Sequence, residues 1–121
     1  MPGINQVGET GVLLRFSGVA PREIRFDRSE LSVILGLYGR HVASGEWRDY
    51  AIDFGRETAS FSVFRHSSEQ PLYRIIKNPV LTRKNGLYSV VAQGGLIMKR
   101  GNDLMQVLKV LERRPERFDF S

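Results

Sequence analysis

Apolar positions at helical spacing predict a helix in the first third of the chain. They recur at i, i+3, i+4, i+7 and i+11, which is one face of a helix of about four turns. This stripe comprises Leu31, Ile34, Leu35, Tyr38 and Val42. Asp27 and Glu30 have the spacing of a capping box, in which each side chain accepts from a free backbone N–H at the helix start. Gly45 suits the end of the helix, so a capped amphipathic helix is expected between Asp27 and Gly45.

Beyond the helix the apolar period changes to two, which predicts β-strands. Alternating residues of 49–54 and 58–62 have the pattern of a hairpin with one apolar and one polar face. Gly55 suits the first central position of a two-residue type II′ turn. The register that this turn implies places Tyr50 opposite Phe61 and Ile52 opposite Ala59.

The second half of the chain contains further strand patterns and a second helix. Residues 72–77 predict a third strand, and Asn85-Gly86 is typical of a type I′ turn joining strands over 80–84 and 87–92. Residues 96–99 predict one more strand. The final helix has the buried stripe Leu104, Val107, Leu108 and Leu111. Together these patterns predict an α+β fold, a mostly antiparallel meander of five or six strands with two packed helices, one before and one after the main strands.

The length of 121 residues suits one domain. Residues 1–11 show no sustained pattern and are expected to form a flexible leader. Residues 12–112 are expected to form the single α+β domain, with a short strand over 12–16. Residues 113–121 follow a Pro-terminated helix and are expected to form a loose C-terminal tail.

The composition narrows the class of protein. Hydrophobic residues make up 41% and charged residues 26% of the chain, as in ordinary globular proteins. There is no cysteine, which excludes disulfides and thiolate metal sites. The sequence has neither an apolar run of about 18 residues nor a signal-peptide core at its start. We therefore expect a cytoplasmic protein that does not span a membrane.

The net charge of +5 is concentrated in one part of the chain. Residues 58–101 hold seven Lys or Arg and one Glu, a net charge of +6, so the remainder is close to neutral. Such a segment can attract a phosphate-rich partner. The alternative is that these side chains solubilise strand edges and turns.

Candidate catalytic residues are few. His41 lies one position off the predicted helical stripe, where a helix-flank or C-terminal dipole role is expected, and His66 leads into a serine-rich loop whose serines are typical of turns. Asp49 and Asp53 point the same way but lie about 13 Å apart on an extended strand, whereas paired glycosidase carboxylates lie about 5–9.5 Å apart. The sequence has no metal-ligand spacing and no Walker pattern. We expect neither an enzyme nor a metal or cofactor site.

Two binding hypotheses remain. Nucleic acid could bind to cations that track phosphates, beside Phe64, Tyr73 and Tyr88 as stacking aromatics. The cations of this hypothesis are Arg74, Lys77, Arg83, Lys84, Lys99 and Arg100. A protein partner could instead bind to an apolar sheet face carrying Phe64, Leu72 and Ile76. The alternative for that face is burial under the second helix.

Several short segments together resemble a known family. They are Glu46-Trp47-Arg48-Asp49-Tyr50, Leu72-Tyr73-Arg74, Tyr88-Ser89-Val90-Val91 and Gly94-Gly95-Leu96 with Lys99-Arg100-Gly101. On these residues the chain resembles a small alphaproteobacterial family of unknown function, number twenty-seven ninety-four in the series of domains of unknown function. The resemblance covers about residues 25–111. It implies a stand-alone bacterial protein, and it brings no activity, ligand or catalytic residue.

Overall fold

The computed structural model describes residues 23–66 and 70–112. The elements are α1 (Arg28–Ala43), β1 (Asp49–Phe54), β2 (Ala59–Phe64), β3 (Tyr73–Lys77), β4 (Tyr88–Ala92), β5 (Ile97–Gly101) and α2 (Leu104–Glu112). All five strands pair antiparallel in chain order, so the sheet is a meander. The predicted α+β class is confirmed. The predicted leader, the strand over 12–16 and the C-terminal tail lie outside the described residues.

Helix α1 begins at the predicted capping box. The Glu30 backbone N–H donates to Asp27 Oδ1 and the Asp27 backbone N–H donates to Glu30 Oε1, each at 2.8 Å. The buried stripe, however, differs from the predicted one. Ile34 and Leu37 are fully buried, whereas Leu35 is 40% exposed. Glu30 and His41 are also buried, so the buried side of α1 includes polar residues that a search for apolar periodicity does not detect.

His41 explains why the helix is rotated about its axis relative to the prediction. Its ring stacks on Trp47 with centroids 4.1 Å apart and lies buried on the same side as Leu37. Facing His41 inward turns Val42 outward, and Val42 is 41% exposed. The predicted flank position of His41 is wrong for this reason.

The β1–β2 hairpin has the predicted faces but a different register. Ile52 pairs with Phe61 and Tyr50 with Val63, two residues away from the prediction. Gly55 is part of the ladder, since its N–H donates to Thr58 O at 2.9 Å, so the turn is made by the two residues after it. A shift of two residues preserves the side-chain alternation, whereas a shift of one would have exchanged the faces.

The segment before Asn85 is not a strand. Pro79–Lys84 forms a 3₁₀ helix, which we call the 3₁₀ loop. Pro79 has no N–H with which to pair in a sheet. Asn85 adopts φ 57°, and the Gly86 N–H donates to Leu81 O at 2.9 Å. Asn85-Gly86 therefore closes the 3₁₀ loop instead of a hairpin, and β4 pairs directly with β3.

Both helices cover one face of the sheet. The core unites the α1 residue Leu37 and the predicted α2 stripe, which is confirmed, with Phe61, Ile75 and Val90 from the central strands. The alternate strand residues form the opposite side, which we call the outer face. It carries Ala51, Asp53, Ser60, Ser62, Phe64, Arg74, Ile76, Ser89, Val91 and Arg100. Neither described helix packs on the outer face.

The rotated stripe predicts a contrast between two neighbouring leucines of α1. Leu37→Ala should lower the free energy of unfolding by about 2–5 kcal/mol because it leaves a cavity in the core. Leu35→Ala removes a partly exposed side chain from the same helix and should cost less than about 1 kcal/mol. Urea denaturation of both variants measures the difference. Equal midpoints would contradict the observed rotation of α1.

Candidate functional site

Four of the six predicted binding cations lie at one corner of the molecule. Arg83 and Lys84 lie in the 3₁₀ loop, and Lys99 and Arg100 lie near the end of the edge strand β5. Asn102 holds the two segments together, because its Nδ2 donates to Thr82 O at 2.9 Å and its Oδ1 accepts from the Leu87 N–H at 3.0 Å. We call Arg83, Lys84, Lys99 and Arg100 the basic corner.

A shallow depression of about 380 Å³ lies at the basic corner. Asn85, Lys99 and Arg100 line it together with the first residues of α2. Asp103 also lines it and caps the helix, with the Gln106 N–H 3.3 Å from Asp103 Oδ1. The cations and the start of the helix attract anions, and one carboxylate opposes them.

The cations of the basic corner are available to an external ligand. All four side chains belong to exposed residues. The salt bridges within the described ranges all involve other residues. No salt bridge within residues 23–66 and 70–112 therefore pairs with these four cations, although Asp103 lies in the same depression.

Arg74 lies apart from the basic corner. It is an exposed residue of the outer face, paired with Ser62 on one side and Val91 on the other. It lines a separate depression of about 450 Å³ beside the turn that joins β4 to β5. Arg100 lies two strands away, in the row of Ile76, and it lines the depression at the basic corner, so the two arginines line separate depressions.

Lys77 has a structural contact that the sequence did not indicate. Its Nζ donates to Glu30 Oε1 and to Arg25 O, at 2.8 and 2.9 Å. The Lys77 side chain is 17% exposed and that of Glu30 is 10% exposed. This ion pair joins the end of β3 to the start of α1. Since the Lys77 ammonium is engaged by Glu30, Lys77 does not belong with the predicted phosphate-binding cations.

Glu30 also receives a hydrogen bond from Tyr88, whose hydroxyl donates to Oε2. Burial and this hydrogen bond raise the pKa of Tyr88 well above its usual value, so the hydroxyl keeps its proton. Tyr88 is buried, and Tyr73 is half-buried with its ring 6.3 Å from Trp47. Of the three predicted stacking aromatics, Phe64 alone lies on the outer face.

The buried ring of His41 is enclosed by protein. Nδ1 lies 3.0 Å from Leu37 O and Nε2 lies 3.2 Å from Leu111 O, so the ring links α1 to the end of α2. His66 is exposed beyond the end of β2. His41 is therefore a core residue and not the predicted helix-flank residue.

The three predicted partner-binding residues divide between two environments. Phe64 and Ile76 are half-buried residues of the outer face. Leu72 packs against the hydrophobic core instead, so it is removed from the predicted surface. It precedes β3, where the strand alternation no longer fixes its direction.

The described part of the chain has neither a membrane-spanning helix nor a metal-binding cluster. None of its helices has the length and apolar character needed to cross a bilayer. No group of three or more His, Asp or Glu side chains within residues 23–66 and 70–112 has a metal-binding arrangement.

The contrast between Lys77 and Arg74 can be tested by matched substitutions. Lys77→Gln leaves buried Glu30 without its cation and should lower the free energy of unfolding by about 1–3 kcal/mol. Arg74→Gln makes the same change in charge three residues earlier on the same strand, at an exposed position, and should stay within about 0.5 kcal/mol of wild type. Thermal and urea unfolding provide the values. Equal stability of the two variants would show that the Lys77 contact is not structural.

Comparison with known proteins gives one match. No curated protein and no solved structure matched the chain. Residues 24–108 match the family described as Protein of unknown function (DUF2794), which agrees with the resemblance carried by the sequence motifs. The match includes every strand and most of both helices, and so the chain belongs to this family.

Proposed function

We propose that the protein is a non-enzymatic cytoplasmic binding module whose basic corner engages an anionic partner, with nucleic acid as the principal candidate. The observation that carries this proposal is the grouping of Arg83, Lys84, Lys99 and Arg100 on two segments joined by Asn102. These exposed cations have no salt bridge within the described residues. Such a group attracts phosphates at long range and gains free energy by releasing counterions.

The chemistry of the corner favours contacts to the phosphate backbone. Tyr73 and Tyr88 face the helices and the core, so they do not supply stacking surfaces beside the cations. Base-specific recognition of single strands generally uses exposed aromatic or hydrogen-bonding groups. We therefore propose binding with little dependence on base sequence and strong dependence on salt.

The non-enzymatic part of the proposal is supported by the environment of the histidines. His41 is buried between Trp47 and two backbone carbonyl groups, away from the depression at the basic corner. General acid–base catalysis needs a titrating group within reach of a substrate. Asp103 at the depression is instead engaged in capping α2.

A second candidate function is docking of a protein partner on the outer face. Phe64, Ile76 and Val91 lie there and are half-buried, and neither described helix covers them. Ile97, which pairs with Val91 from the edge strand, is 50% exposed. Apolar side chains beside arginines are typical of protein interfaces.

The nucleic-acid proposal predicts a specific change in salt dependence. Binding of a mixed-sequence single-stranded oligonucleotide should weaken with salt, and Arg83→Gln combined with Lys84→Gln should reduce the logarithmic slope by up to about 1.4. This follows because each phosphate contact contributes about 0.7. Fluorescence anisotropy over a salt series measures the slope.

The matched control is Arg48→Gln combined with Arg56→Gln, which removes the same charge from exposed positions beside β1. The control should keep most of the slope, and both double variants should unfold at the wild-type temperature. Absence of binding at low salt, or equal effects of the two double variants, would refute the basic corner as a phosphate site.

A further inference from the structure

The first strand of the sheet is an edge strand with one free side. Within the described residues β1 pairs with β2 alone. The Gly55 N–H donates to Thr58 O at 2.9 Å, and successive backbone N–H groups of a strand point to alternate sides. The N–H groups of Ile52 and Phe54 therefore point away from β2. Such an edge is a template for one more strand.

An apolar surface lies directly beside this edge. Leu35 and Val42 of α1 and Tyr50 of β1 are 40%, 41% and 42% exposed. Tyr38 lies between the two α1 residues on the same side of the helix, and its ring packs 4.9 Å from that of Tyr50. The helix and the edge strand thus share one apolar patch. A strand added to β1 would cover this patch with its helix-side residues.

The other side of the same edge is acidic. Asp49 and Asp53 are exposed and lie on the side of β1 that faces away from the helices. Neither forms a salt bridge within the described ranges. Asp49 Oδ1 accepts from the Tyr50 N–H at 2.8 Å, so a side chain takes the hydrogen bond that a neighbouring strand would accept. The edge is thus complementary to a strand with apolar residues on one side and a cation on the other.

We propose that residues 12–16 of this chain bind to the free edge of β1 as a sixth strand. These residues are Val12-Leu13-Leu14-Arg15-Phe16, and they lie outside the described residues. In an extended chain Val12, Leu14 and Phe16 fall on one side and Arg15 falls on the other, which is the pattern that the edge requires. The inference is independent of the basic corner and of docking on the outer face.

One antiparallel register satisfies both sides of the edge. It places Arg15 opposite Ala51, between the two carboxylates of β1. Phe16 then lies opposite Tyr50 on the helix side, and residues 12 and 14 follow on the same side. A shift of one residue would turn Arg15 toward α1 and the apolar residues toward the carboxylates, which is unfavourable. Antiparallel pairing also continues the arrangement of the five described strands.

The connection to the described chain is long enough for this placement. Ile24 pairs with Gly55 just beyond the end of β1, so the chain enters the described fold beside this strand. The eight residue steps from Phe16 to Ile24 span at most about 26–29 Å. The five strand steps from Tyr50 to Gly55 cover roughly 17 Å. The segment therefore reaches the edge, and its covalent connection gives it a high effective concentration there.

Occupation of the edge has a consequence for interactions with other chains. An open edge strand beside apolar side chains is a site for pairing with further copies or with foreign strands. Residues 12–16 cover the free N–H groups and the apolar patch within the same molecule. An extended segment of a partner protein would bind to β1 only by displacing them. The segment thus acts as an intramolecular competitor at this edge.

Hydrogen exchange of the full chain, followed by ¹⁵N–¹H NMR, tests the proposal. The Ile52 and Phe54 amides should exchange at least about tenfold more slowly in the wild type than in Arg15→Asp, because this substitution sets an acid between two acids. Arg15→Asp combined with Asp53→Arg should regain protection, since one charge pair is formed again. The amide of Ile75, in the middle of the sheet, should stay protected in every variant and so report an intact fold.

The matched control is Arg22→Asp, which makes the same change in charge outside the segment and should leave exchange at β1 unchanged. Ile52 and Phe54 amides that exchange as fast in the wild type as in Arg15→Asp would overturn the proposal. Equal effects of Arg15→Asp and Arg22→Asp, or no recovery in the combined variant, would do the same. Protection that increases with protein concentration would place a second copy at the edge and would also overturn the intramolecular assignment.

Discussion

The structure depends on one buried carboxylate at the start of the first helix. Glu30 accepts hydrogen bonds from the Asp27 backbone N–H, from the Lys77 ammonium and from the Tyr88 hydroxyl. A buried carboxylate is costly unless its oxygens are satisfied, and here three donors from three parts of the chain satisfy them. The contact fixes the helix start against the ends of two central strands, β3 and β4. The same Glu30 carboxylate thus completes the cap of α1 and joins the helix to the sheet.

This arrangement also determines what the rest of the surface can do. Lys77 and Tyr88, on the helix-covered side of the sheet, both donate hydrogen bonds to Glu30. These two polar side chains are therefore engaged within the molecule. The four cations of the basic corner, in contrast, are exposed. The proposed phosphate site lies at this basic corner.

The sequence predicted the features that depend on local patterns. The capping box, the stripe of α2 and the alternation of the first hairpin need only neighbouring residues, and they are observed. The rotation of α1 was missed because a polar residue, His41, is buried while Leu35 is exposed. Lys77 was placed among the surface cations because its partner Glu30 lies 47 positions away. The four cations of the basic corner are brought together by hydrogen bonds of Asn102. The periodicity of the sequence does not predict these contacts.

Mapping of backbone amide shifts by ¹⁵N–¹H NMR during titration with a single-stranded oligonucleotide tests the central functional claim most directly. The account predicts that the largest shifts fall on residues 81–86 and 98–103, the two segments that carry the basic corner. Residues at the α1–α2 contact, such as Arg40 and Glu112, should stay unperturbed. Shifts concentrated on the helices, or no shifts at low salt, would contradict the assignment of the basic corner as the binding site.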